Sequence, residues 1–375
     1  MPAKISLRDV VVRRRKMEVL RVPALDVNEG EVLAVIGPNG AGKTTLLQVL
    51  ALLDRPAGGE VLYDGARVRG RELSIRRRMA LMMQDPLLLR RSVAENIATG
   101  LRLRGVSRSE RKERIDRWLE RFGVRHLAQR SAHKISGGEA HRVSLARAFA
   151  LEPEVLLLDE PFAALDQPTR ETLLDELAGA LGETGLTTVF VTHDRSEALR
   201  LGDRVAVIVD GRVRQVDATA AVFAAPADED VASLVGAETI VAGKCVSRGE
   251  GIASVRVGGH LIDAVARDGL PEDVLVVLRP EDVTLMKPGK HPPVSSARNH
   301  LHGTVTRITL MNYQARVSVD CGFPLVAFIT KQSLEEMGLA VGGEIAATFK
   351  AHAVHLVARG APGAAGELEA SKTAP

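Results

Sequence analysis

The chain has 375 residues, 45% of them apolar and 26% charged, with a formal net charge of +3, which suits two or three domains with their own cores. Balanced charge excludes a dominant basic or acidic tail, and 3% aromatics with a single Trp118 leave few stacking platforms for nucleic acid. Cys245 and Cys321 show no metal spacing and suit a reduced, intracellular compartment. No apolar signal core opens the chain, and no apolar run approaches the roughly 18 residues that cross a bilayer, so a soluble or peripheral protein is expected.

In chain order, Ile5–Val12 and Val19–Val27 read as strands joined by the basic run Arg13-Arg14-Arg15-Lys16. Val32–Ile36 reads as a buried strand and Leu46–Leu53 as a helix. Between them Gly37-Pro38-Asn39-Gly40-Ala41-Gly42-Lys43-Thr44-Thr45 fits G-x-x-x-x-G-K-[ST] without a gap. Gly40 and Gly42 allow a tight turn that aims N–H groups at phosphate oxygens, and the helix N-terminus adds partial positive charge. Lys43 can reach the β- and γ-phosphates, and the Thr44 hydroxyl can ligate Mg²⁺. This pattern is a nucleotide site.

Glu60–Tyr63 followed by Asp64-Gly65 predicts a strand and turn, which makes the early region an antiparallel β-subdomain. Arg77–Met83 leads into Gln84, Ser92–Ile97 opens a helix, and Ser107–Phe122 is a helix with alternating Arg and Glu, a solvated face. Ile135-Ser136-Gly137-Gly138-Glu139 then runs into a helix through Ala150. Two glycines at a helix start weaken it, and make sense where bare amides must approach an anion. Ser136 can cap the helix or donate to a phosphate.

The apolar strand Val155–Leu158 ends in Asp159-Glu160-Pro161. Adjacent carboxylates at the end of a buried strand are costly unless they have work to do, and strand neighbours point in opposite directions. Asp159 fits the Mg²⁺-side acid, acting through water, and Glu160 the base for the attacking water. Asp166 precedes a helix over Pro168–Leu181, and Thr187–Val191 is a strand ending in Thr192-His193-Asp194. His193 thus falls at the carboxyl edge of a parallel strand, where ligands bind in such sheets, and can donate to a γ-phosphate oxygen. Val205–Val209, Asp210-Gly211 and Arg212–Val216 close the domain with a hairpin.

Together these residues resemble the ATP-binding subunit of an ABC transporter, over about Ile5–Val235. Gly37–Thr45 is similar to the Walker A loop, Gln84 to the Q-loop glutamine, Ile135–Glu139 to the ABC signature and Leu156–Glu160 to Walker B. Asp166 corresponds to the D-loop and His193 to the switch histidine. The resemblance implies an α/β P-loop NTPase domain with an antiparallel β-subdomain and a helical subdomain. It also implies a head-to-tail homodimer with two ATPs and Mg²⁺, the metal near Thr44, Gln84 and Asp159. Each ATP is then held by Walker A of one copy and by Ser136, Gly137 and Gly138 of the other. Gln84 and Pro86–Arg104 would meet a membrane subunit. Two departures stand out: Val12–Lys16 lacks the aromatic that usually stacks on adenine, leaving an Arg to do so, and Ala140-His141 replaces a polar pair.

Ala218–Gly236 reads as a helical linker. Thr239–Val246, Ile252–Val257, Leu261–Ala266 and Val274–Leu278 read as strands. After a Pro/His-rich break at Lys287–Pro293 come Leu301–Thr309, Gln314–Asp320, Leu325–Ile329, Gly343–Phe349 and Ala353–Leu356. Short strands with Gly turns predict small, OB-like β-barrels, and the Ala/Gly-rich tail from Arg359 is expected to be disordered. The expected domains are 1–235, 236–358 and the tail 359–375.

The second part resembles the TOBE domains of importer ATPases at Leu278-Arg279-Pro280-Glu281-Asp282. At Ser295–Asn299, Ile329–Ser333 and Phe349–Ala351 it resembles the Mop variant, which binds molybdate or tungstate. Ser296, Arg298 and Lys350 could supply the hydroxyl and positive charge such a dianion needs. The expectation is the ATPase of a tungstate or molybdate importer, peripheral on the cytoplasmic face of the membrane, with two permease subunits and an external solute-binding protein. Sulfate, spermidine, iron or sugar importers remain alternatives, as does an ATPase acting on DNA or ribosomes; no nucleic-acid partner is expected.

Overall fold

The alternation along the first two predicted strands is realised as a long hairpin, β1 (Ala3–Arg14) and β2 (Met17–Asn28), in which Arg14 pairs with Met17. Only Arg15 and Lys16 of the basic run form the turn, with φ of 47° and 73°, the left-handed pair that a two-residue hairpin turn demands. The computed structural model describes residues 2–70, 72–163, 165–266, 269–289 and 295–359; the tail from 360 and residues 290–293 of the Pro/His-rich break lie outside them. The chain divides between Ala220 and Ala221 into two compact units.

In the first unit β3 (Val32–Ile36) leads to α1 (Lys43–Leu50), β4 (Gly58–Tyr63) and β5 (Ala66–Arg67). Next come α2 (Leu73–Arg76), β6 (Met79–Met82), α3 (Val93–Leu103), α4 (Arg108–Arg121) and α5 (Gly137–Ala150). Then follow β7 (Val155–Asp159), α6 (Gln167–Thr184), β8 (Thr187–Thr192), α7 (Arg195–Leu201), β9 (Arg204–Val209) and β10 (Arg212–Ala218). The helix expected over Leu46–Leu53 stops at Leu50, because Leu52 turns left-handed (φ 55°).

One sheet of ten strands runs β5-β4-β1-β2-β10-β9-β3-β8-β7-β6. Strands β9, β3, β8, β7 and β6 are parallel, and β5, β4, β1 and β2 antiparallel. The parallel strands β7 and β8 are buried along their whole length, which explains the apolar runs Val155–Leu158 and Val189–Val191 within them. Ser92 and Ser107 cap α3 and α4, and Trp118 is spent on core packing, with its ring centroid 4.7 Å from that of Phe149.

The sheet curls until its ends meet. Lys4 on β1 reaches Asp64 at 2.8 Å and Glu154, just before β7, at 2.6 Å; Arg78, just before β6, reaches Asp64 at 2.7 Å and Glu154 at 2.5 Å. The Arg78 hydrogen bonds, then those of Lys4, hold the Glu154 carboxyl down to about 2. A depressed carboxylate contributes stability above its unfolded pKa, near 4.5, and loses it as pH falls toward 2. With 42% of Glu154 exposed, screening trims the effect, and Glu154→Gln is expected to cost about 1 kcal/mol at pH 7. Denaturant unfolding of both proteins checks this: the gap should narrow below pH 4.5 and close near pH 2.

The second unit takes in most of α8 (Thr219–Ala224), then α9 (Glu229–Leu234), β11 (Thr239–Gly249), β12 (Ile252–Val257), β13 (His260–Val265) and β14 (Asp273–Leu278). It continues with β15 (Thr284–Met286), β16 (Asn299–Leu310), β17 (Gln314–Asp320), β18 (Pro324–Thr330), α10 (Lys331–Met337), β19 (Glu344–Phe349) and β20 (His355–Ala358). Two five-stranded antiparallel sheets, β13-β12-β11-β14-β20 and β15-β19-β16-β17-β18, share one core containing Val255, Ile262, Leu301 and Val317. Asn299 splices them: its side-chain amide accepts from Asp263 N–H at 2.7 Å and donates to Asp263 C=O at 2.9 Å. The stretch Ile329–Ser333 divides between the end of β18 and α10, which Thr330 caps through the Ser333 N–H.

Candidate nucleotide-hydrolysing site

Strand register assembles the site. Ile36 pairs with Thr192 and Asp159 with Val191, so β3, β7 and β8 release Gly37, Glu160 and His193 at one sheet edge. Gly42 caps α1 with φ of 100°, a conformation that a side chain resists, and a Cβ there would lie 3.0 Å from the Val19 carbonyl. Gly37 has a packing reason of its own, since a Cβ would come within 2.1 Å of the Ile208 carbonyl.

Lys43 is 5% exposed, and its ammonium donates to the Gly37 carbonyl at 2.9 Å and the Pro38 carbonyl at 3.1 Å. Burial pushes its pKa down, opposed by the charges of Glu160 and Asp159. A buried cation held by loop carbonyls is matched to an incoming anion. The Thr44 hydroxyl donates to Asp159 at 3.2 Å, placing two hard oxygens side by side, a donor set that fits Mg²⁺. Burial raises the pKa of Asp159, and the Thr44 hydrogen bond offsets part of the rise.

Glu160 has φ of 44°, a conformation that costs a non-glycine about 1–2 kcal/mol. Its N–H donates to the Val191 carbonyl at 3.0 Å, and its carboxylate lies 3.2 Å from His193 Nδ1. A cleft of about 380 Å³ is lined by Asn39, Gly40, Gly42 to Thr45, Gln84 and Glu160. Arg14 and Val19 also line it, and the Arg14 guanidinium is held by Asp54 at 2.5 Å. Val19 carries no motif signal; only the β1–β2 fold-back brings it to the cleft.

Ser136, Gly137, Gly138 and Asp166 do not line this cleft. Ser136 caps α5, accepting from the Glu139 N–H at 3.3 Å while the Glu139 carboxylate accepts from the Ser136 N–H at 2.6 Å. Its hydroxyl hydrogen stays available, so capping and donation to a phosphate are compatible. A Cβ on Gly137 would meet nothing within 4 Å. Asp166 caps α6, accepting from Thr169 N–H at 2.8 Å.

In the second unit the register Asn299–Phe349 puts Arg298 beside Lys350, with Ser296 two residues upstream. Arg298 Nε pairs with the Asp263 carboxylate at 3.0 Å, so part of its charge is already met.

The ABC transporter family profile matches residues 20–163, and the TOBE domain profile matches 295–356. Over 342 residues, 90% of this chain and 95% of the relative, the chain is 37% identical to the molybdate/tungstate import ATP-binding protein WtpC of Pyrococcus horikoshii. The chain belongs to the ATP-binding subunits of ABC importers. This importer subunit binds and hydrolyses ATP. It is equally identical, 37% over 352 residues (92% of this chain, 95% of the relative), to the Fe(3+) ions import ATP-binding protein FbpC of Streptomyces coelicolor. Its fold is shared with a dimeric ATP-binding cassette solved in a post-hydrolysis state with ADP and Pi; the TM-score is 0.53 and the identity 31%, covering 57% of this chain and 98% of that one. Among the described residues of the importer subunit, no helix is long and apolar enough to cross a membrane.

Proposed function

We propose that this importer ATPase works as a homodimer in which Glu160 is the general base and Lys43 the phosphate-binding cation. The observation that carries the reading is the convergence of the Lys43 loop, Asp159, Glu160 and His193 at one edge of the parallel sheet. The loop from Gly37 to Thr45 cradles the phosphates of ATP through its amides, and Thr44, Asp159 and Gln84 hold Mg²⁺, which neutralises phosphate charge when bound. Glu160 takes the proton of the attacking water, while His193, 3.2 Å away, orients that carboxylate and can turn to the γ-phosphate. Arg14 lines the cleft where an aromatic would stack on adenine, and its guanidinium plane can pack on the base.

The open face at Gly137 supports a second copy that receives Ser136, Gly137 and Gly138 against its own nucleotide, with Asp166 near the same interface. The dimeric state of the related cassette supports the same arrangement. The dimer lies on the cytoplasmic face, bound to two permease subunits that an external solute-binding protein supplies.

Tungstate or molybdate is the favoured cargo, and the second unit its sensor through Ser296, Arg298 and Lys350. Support comes from the WtpC relative, matched over 95% of its length, and from the adjacency of Arg298 and Lys350. The equal identity to the iron importer subunit supports a different cargo on the same ATPase. Calorimetric titration of the full chain with tungstate, molybdate and sulfate separates them: saturable heat with the first two, abolished by Arg298→Ala, is expected. Silence with all three would remove the oxyanion assignment, and equal binding of sulfate would remove the preference for tungstate or molybdate.

A further inference from the structure

Helix α5 carries more than the Ser136-Gly137-Gly138 start. His141, Ser144 and Arg147, spaced three apart on one stripe of the helix, grip two loops that border the nucleotide cleft. The buried His141 Nδ1 donates to the Pro161 carbonyl at 2.9 Å; since a carbonyl only accepts, that ring nitrogen carries the proton. The Ser144 hydroxyl donates to the Pro86 carbonyl at 3.2 Å. The Arg147 guanidinium donates to the same carbonyl at 2.9 Å and to that of Leu87 at 3.2 Å.

Both gripped segments are strained at a non-glycine residue. Leu87, directly after Pro86, has φ of 42°; Glu160, directly before Pro161, has φ of 44°. Such conformations persist only where the surroundings fix them, and α5 supplies fixing groups to both segments, beside the Val191 carbonyl that holds the Glu160 N–H and the Asn96 amide that holds Leu89. Arg147 is met by main-chain carbonyls rather than a carboxylate, and burial holds its pKa below the usual guanidinium range. A desolvated cation with no acid partner among the described residues is a poor source of stability, so its value lies in the geometry its planar fork imposes.

We propose that His141 and Arg147 are positioning residues that make α5 a strut between the segment after Gln84 and the Glu160 loop, so that loosening one loop disturbs the other and slows ATP turnover. The proposal rests on the reading of Glu160 as the base.

Amide hydrogen exchange and steady-state ATP hydrolysis on the full-length protein test this. Arg147→Ala is expected to speed exchange near its own contact, at Arg91, and also remotely at Ala163, whose N–H is bonded to the Glu160 carbonyl. Turnover should fall about ten-fold with KM for ATP within about two-fold, the pattern of a misplaced catalytic group. His141→Ala should mirror it, loosening Arg91, whereas His141→Gln, which keeps an N–H donor, should restore turnover. Arg147→Lys, which keeps the charge and loses the fork, should give intermediate values of both readouts and guards against a misfolded alanine variant. Exchange changes confined to each variant's own loop, or unchanged turnover in Arg147→Ala, would overturn the strut. Residual full activity in Glu160→Gln would instead remove the base assignment, leaving the exchange pattern to judge the strut alone.

Discussion

Glu160→Gln lowers ATP turnover by about 100- to 1,000-fold while ATP affinity stays within about two-fold, the expected loss for a general base replaced by its isostere. The amide keeps the shape of the side chain and offers an acceptor to His193 Nδ1, so the strand-end geometry survives. The backbone at position 160 stays anchored through its N–H to Val191. What disappears is the ability to accept the proton of water. Phosphate release and equilibrium nucleotide titration on the same preparation separate the two effects. Loss of affinity in step with turnover would instead mark Glu160 as a binding residue.

Gly137→Asp is expected to be nearly as damaging and for the opposite reason, because nothing within a single copy objects to it. A Cβ there meets open space, and a carboxylate in the first turn of α5 suits the helix dipole. Thermal unfolding should therefore be unchanged or slightly raised, and ATP affinity of the isolated chain unaltered. Turnover should drop at least about 100-fold, because the carboxylate would face the phosphates of the nucleotide held by the other copy, where charge opposes binding. A variant with full turnover would show that this face meets no phosphate during the cycle.

Much of this was legible because the chemistry is local. Gly37–Thr45, Ser136–Gly138 and Asp159-Glu160 are contiguous, and each announces its strand or helix end by the residues beside it. What escaped the sequence depends on register. The contact of His193 with Glu160 follows from the pairing of Asp159 with Val191, and no spacing rule links positions so far apart. The pairing of Arg298 with Asp263 likewise needs β13 and β16 brought together, which Asn299 does with a side-chain amide whose partner, Asp263, no spacing in the sequence reveals. Helix α10 was hidden because its short polar run lies among strands and only the Thr330 cap marks its start. The grip of Arg147 on Pro86 was invisible for the same reason: it is made across the fold by a residue that reads as an ordinary helix arginine.

Sedimentation velocity of Glu160→Gln with and without saturating Mg-ATP tests the shared-pocket arrangement most directly. The shared pocket predicts a monomer without nucleotide, a dimer with it, and a monomer again when Gly137→Asp is added. A Glu160→Gln protein that binds Mg-ATP to saturation and still sediments as a monomer, alone and with its membrane partners, would contradict it.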